Sequence, residues 1–190
     1  MNVVASSPRT LANVPKGRAV MWWLIISEIT IFGGFITCYL LYRIRHADMA
    51  EAAQHTSTLL GTLNTFILLT SGLFVSFAGQ ASEKGGGKKA ARWLGLTCLL
   101  AMTFLGVKAL EYTHEIEHGF TPGKHLFWSF YYGLTGLHGL HILGGIIAMT
   151  LIALGAKKNQ NLGRVDMVGM YWHLVDAVWI FLFVLFYVIR

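Results

Sequence analysis

The chain reads as an all-α integral membrane bundle of five transmembrane helices. Three observations predict this fold. Of its 190 residues, 55% are hydrophobic and only 13% charged, against roughly 25% charged residues in soluble domains. Five apolar stretches are each long enough for the ~20 residues that a spanning helix needs. The segments between them are short and hydrophilic, which leaves one compact domain over 19–190 behind a flexible cytoplasmic arm over 1–18.

The arm carries Ser6, Ser7, Pro8 and Pro15, residues that favour irregular structure. Arg9, Lys16 and Arg18 precede a first apolar run that exceeds a signal-peptide core and shows no cleavage site, so a first span is expected, not a secretory signal. The spans are placed at 19–43, 58–80, 92–113, 126–155 and 168–189. The second and third are separated by Gly85-Gly86-Gly87-Lys88-Lys89. Pro122-Gly123 breaks the chain before the fourth, and Lys157-Lys158-Asn159-Gln160-Asn161 precedes the fifth.

Basic residues set the expected orientation. Arg9, Lys16, Arg18, Lys84, Lys88, Lys89, Arg92, Lys157, Lys158 and Arg164 fall on one side, and Arg43, Arg45, Lys124 and Arg190 on the other. The richer side is expected to face the cytoplasm, with the N-terminus inside and the C-terminus outside. The net charge of +6 is accounted for by this asymmetry and predicts no nucleic-acid partner. Trp22, Trp23, Trp93 and Trp128 lie near span ends, where amphipathic rings concentrate. Cys38 and Cys98 sit inside apolar runs and read as buried small hydrophobes, with no metal or disulfide pattern.

Ionisable groups inside the spans are the main clue to function. An intramembrane charge costs at least ~2.5 kcal/mol unless paired or solvated, so each such group moves something or holds helices together. Glu28 shares a face with Phe32 and Phe35 in the first span and has no charged neighbour on its own helix. It reads either as a proton-handling carboxyl or as a hydrogen-bonding strut. Lys108 and Glu111 are spaced to pair along the third span as a structural ion pair, with His114, Glu115, Glu117 and His118 expected in a solvated outer loop. His138 and His141 share a face of the fourth span among small residues. Interhelical hydrogen bonding is the favoured reading, because metal or haem ligation lacks a matching third ligand. In the fifth span His173 and Asp176 are spaced so that imidazole can meet carboxylate, and Trp172 and Trp179 mark a second face. Depth counting puts Glu28, His138, His141, His173 and Asp176 near one polar layer. No catalytic, cofactor-binding or metal-ligating residue is expected. A small proton or ion transporter using Glu28 and Asp176, and a haem-binding cytochrome using the histidines, remain the alternatives from the residues alone.

Five stretches in order carry a resemblance. They are Ser27-Glu28-x-x-x-Phe32, Leu63-Asn64-Thr65 with Leu69-x-Ser71-Gly72, Phe104-Leu105-Gly106-x-Lys108-x-x-Glu111-Tyr112, Thr135-Gly136-Leu137-His138-Gly139-Leu140-His141, and Tyr171-Trp172-His173-x-Val175-Asp176-x-Val178-Trp179. Over roughly residues 19–189 the chain resembles subunit III of the haem-copper terminal oxidases, of both cytochrome c and quinol types. The resemblance implies an accessory subunit without chemistry of its own, with haem and copper in partner subunits. It implies contact with the catalytic subunit I and association with subunit II and other subunits. It also implies bound phospholipid, support of proton uptake and protection from turnover-linked inactivation. Oxygen reduction coupled to proton pumping would belong to the complex, in a prokaryotic inner membrane. Glu28 matches the family's buried carboxyl, and His138, His141, His173 and Asp176 match its polar layer. Many members have seven spans, the first two forming one arm of a lipid cleft. The five-span form is similar to quinol-oxidase subunits III and to proteins associated with nitric oxide reductases, which is the alternative within the family.

Overall fold

Helix α1 (Lys16–Arg45) is followed by a short α2 (Asp48–Ala53) and then by α3 (Thr58–Glu83), α4 (Gly87–Glu117), α5 (Leu126–Ala156) and α6 (Gly163–Phe183), which ends in a π-helical turn, Val184–Val188. These elements come from a computed structural model that describes residues 16–46 and 48–189. Of the arm expected over 1–18, residues 16–18 are instead the first residues of α1, and residues 1–15 lie outside the described residues. All five long helices are long and apolar enough to cross a membrane.

The described spans extend beyond the apolar runs. α4 begins five residues before the expected 92 and ends four after 113, because backbone hydrogen bonding continues where hydropathy has already fallen. Lys88 and Lys89 therefore sit on the helix, and so do His114, Glu115 and Glu117. Glu115 faces inward and is buried, which corrects the expectation of a solvated loop.

Helix ends are closed by local chemistry. Ser57 caps α3 by accepting from Leu60 N–H. At its other end Gly85 has φ +72, Gly85 N–H donates to Ser82 O, and Gly86 N–H donates to Ala81 O. This is a Schellman closure, which needs a residue in the left-handed region. α4 closes the same way at Gly119 (φ 83), with Phe120 N–H on Glu115 O. α5 does so at Asn159 (φ 56), with Gln160 N–H on Gly155 O.

α3, α4, α5 and α6 pack in a closed ring, each against two neighbours, and α1 lies outside the ring on α5 and α6. Trp172 and Trp179 of α6 point into the ring and donate to Ser71 Oγ (2.9 Å) and Thr65 Oγ1 (3.1 Å) of α3. Trp128 is a core residue, stacked on Phe120, not an interfacial ring as its position suggested. Trp22 and Trp23 do face outward. Cys98 is buried, but Cys38 is exposed on α1, contrary to its reading as a buried hydrophobe. The π-turn offers backbone carbonyls sideways: Phe186 O accepts from Thr56 and Tyr187 O from Thr58. That ties the start of α3 to the end of α6.

Candidate functional site

Most ionisable groups of the spans fall in three places. The first is a closed cluster between α4, α5 and the end of α6. Lys108 Nζ lies 3.0 Å from Glu111 Oε2 and donates to the hydroxyls of Tyr131 (2.8 Å) and Tyr187 (2.5 Å). Both hydroxyls in turn donate to Glu111 Oε1, at 2.8 and 2.6 Å. Every member is buried. The ammonium and the carboxylate are thus each paired and hydrogen-bonded, the condition under which buried charges are tolerated. Spacing revealed the Lys–Glu pair. The two tyrosines that complete it come from other helices, and nothing along the α4 sequence announces them.

The second place joins α1 to α5. Glu28 Oε2 lies 2.9 Å from His141 Nε2, with both side chains largely covered. His141 Nδ1 sits 2.8 Å from Leu137 O. A carbonyl can only accept, so Nδ1 carries its hydrogen and a neutral ring presents an unprotonated Nε2 to Glu28. A proton placed between carboxyl and imidazole would make this contact favourable. The contact has ion-pair distance without hydrogen-bond alignment, since Oε2 makes no aligned bond. Phe32 packs edge-on against the His141 ring, 5.3 Å between centroids, and Tyr171 donates to His141 O. His141 thus meets its own helix through Nδ1 and α1 through Nε2.

The third place is the α3–α6 seam. Asp176 is buried against Gly72, where a Cβ would come within 2.5 Å of Asp176 Oδ2. The expected His173–Asp176 contact does not form. His173 points outward and reaches Ser76 Oγ at 3.3 Å, while Asp176 Oδ1 has no hydrogen-bond partner. On a helix these two positions are offset by about 60°, enough to put one in the seam and the other on its rim. His138 is enclosed between Trp179 (5.3 Å, stacked) and Phe104 (5.8 Å, edge-on), with neither nitrogen bonded. It turns toward the ring interior and His141 toward α1, so the two histidines do not act on one neighbour. The single polar layer expected from depth is therefore divided among three interfaces, with no hydrogen bond joining Glu28–His141 to His138 or Asp176 among the described residues. Asn64, to which its place in the Leu63-Asn64-Thr65 stretch assigned no role, is fully buried in α3 with neither amide atom bonded.

Among the described residues no three His, Cys, Asp or Glu side chains converge into a metal-holding group. The fold and these sites define a multi-pass helical membrane protein in which Lys108 pairs with Glu111 and Glu28 faces His141.

Residues 10–189 match the family profile described as cytochrome c oxidase subunit III. The cytochrome c oxidase subunit 3 of Corynebacterium diphtheriae is 33% identical, covering 97% of this chain and 95% of that protein. That of Bacillus subtilis is 30% identical over 96% and 91%. The cytochrome bo(3) ubiquinol oxidase subunit 3 of Pseudomonas aeruginosa is 30% identical over 87% and 81%. The chain belongs to the cytochrome c oxidase subunit III family and is an accessory subunit of a haem-copper terminal oxidase.

Proposed function

We propose that this subunit braces the catalytic subunit I in a prokaryotic inner membrane, N-terminus inside, and supports proton uptake into it. The observation that carries the reading is the open face of α1. Only 11% of the apolar window of α1 is buried within the chain, against 44% for α6. Ser27, Thr30, Gly34 and Thr37 recur on that helix and all face outward. The three hydroxyls bond back to carbonyls of their own helix, which leaves a smooth, small-residue stripe. Small residues let a second helix backbone approach closely, which is how helices associate without a hydrophobic driving force. Subunit I is the helix-bearing partner the family relationship offers for it. An added Cβ at Gly34 meets nothing within 4 Å, so Gly34→Leu should leave this chain folded and reduce its recovery with subunit I several-fold. Unchanged recovery would remove α1 from the interface.

The Glu28–His141 pair is the proton-linked element of this reading, because it sets a carboxyl against an imidazole between α1 and α5. Haem and copper belong to partner subunits, subunit II and others complete the complex, and the electron donor, cytochrome c or quinol, docks on those partners. The apolar groove between α1 and α5–α6, lined by Leu24, Gly144 and Ala148 with Arg164 beside them, fits a phospholipid acyl chain. Oxygen reduction and proton pumping are activities of the assembled enzyme.

A further inference from the structure

We infer that a separate groove between the first turns of α4 and the last turns of α5 is a binding site for an anionic phospholipid. The groove encloses about 470 Å³. Lys88 and Arg92 of α4 and Lys157 at the end of α5 line it, and no carboxylate does. None of the three cations has an ion-pair partner among the described residues. Deeper along the helices the walls become apolar at Gly95, Ala153 and Leu154, with Cys98 and Thr150 also lining it. The groove therefore offers three unpaired cations where a headgroup would lie and a small-residue trough where a chain would lie. Basic pockets between spans on the cytoplasmic side suit anionic headgroups in this way. A free anion has no use for the trough, and a zwitterionic lipid has none for three unopposed cations.

This groove lies between α4 and α5, whereas α1 packs on α5 and α6. It is distinct from the α1 groove and from the lipid cleft that seven-span relatives build with additional helices. The inference rests on the reading of α4 and α5 as spans with their Lys-rich ends in the cytoplasmic leaflet. It does not depend on the docking of α1.

The test uses the full chain in its purified oxidase complex, delipidated and re-exposed to phosphatidylglycerol or phosphatidylcholine of matched chains, with bound lipid counted by native mass spectrometry. The wild type should retain phosphatidylglycerol in preference. Neutralising Lys88, Arg92 and Lys157 to Gln should weaken retention by roughly fivefold for each cation removed. Gly95→Phe, whose first side-chain carbon meets nothing within 4 Å, should also reduce retention with every charge intact. Equal retention of both lipids by the wild type would overturn the site. So would full retention in Gly95→Phe, which would reduce the cations to surface attraction, or displacement by inorganic phosphate alone, which would make it a small-anion site. An intact complex in each variant keeps these outcomes separate from subunit assembly.

Discussion

Glu28 Oε2 and His141 Nε2 face each other at 2.9 Å across the α1–α5 interface, with the other ring nitrogen committed to Leu137 O. We propose the pair as a proton holder: a proton placed between the groups would join them, and its removal would leave a carboxylate against a lone pair. Glu28→Gln retains a donor toward Nε2 but cannot release a proton. We expect the variant to assemble normally and to slow proton uptake by the complex several-fold, as followed with a pH-indicating dye during turnover. Unchanged uptake would reduce the pair to a brace between α1 and α5.

The Lys108–Glu111 cluster should behave as a unit. Lys108→Met alone leaves Glu111 buried without its cation and should cost about 3–5 kcal/mol. The Lys108→Met/Glu111→Leu double variant should cost much less than the two single changes together, since no lone charge is left. Tyr187→Phe deprives Glu111 of one donor and should cost about 1–3 kcal/mol. Thermal unfolding of the detergent-solubilised protein reads all four. Additive losses would mean the members do not share one network.

Asp48 and His125 tie α2 to the start of α5 outside the spans. His125 Nδ1 accepts from Phe127 N–H as the α5 cap, so Nε2 carries the hydrogen and donates to Asp48 Oδ2 at 3.0 Å. This bond lowers the Asp48 pKa from its ordinary 3.8. A depressed carboxyl pKa contributes stability that is full above the ordinary value and is lost as pH falls through the depressed one. Protection of the α2 amides, taken relative to the intrinsic exchange rate at each pH, should therefore be unchanged from neutral pH down to about 5 and fall below about 4. Asp48→Asn should flatten that acid response. An acid response of equal size in Asp48→Asn would place its origin elsewhere.

Asn64 is buried with no hydrogen-bond partner for either amide atom. Exchanging an unsatisfied buried amide for an apolar group of similar shape is neutral or stabilising, by about 1–3 kcal/mol. Asn64→Leu should thus keep or raise the unfolding temperature with proton uptake intact. A drop in uptake at undiminished stability would show that the amide serves proton traffic.

The five spans were legible because hydropathy over some twenty residues is a coarse signal that each helix carries alone. The Lys108–Glu111 contact was legible for the same reason: both ends lie on one helix turn. The Glu28–His141 contact was not, because it depends on how α1 sits on α5, and spacing within either helix says nothing about that. The same limit misdirected His173 and Asp176. Their spacing permits a contact, but the close approach of α3 at Gly72 draws Asp176 into the seam and leaves His173 outside. Glu115 was misplaced because its charge resembles a loop residue, whereas the helix carries it inward for one more turn.

The most direct measurement is affinity purification of the tagged chain from its own membranes, with an optical spectrum and subunit analysis of what accompanies it. The account predicts a complex containing a haem-bearing subunit I, whose Soret absorption disappears when this chain is separated from its partners. Recovery of the chain alone, active in ion transport, or a Soret band that stays with the isolated chain, would contradict it.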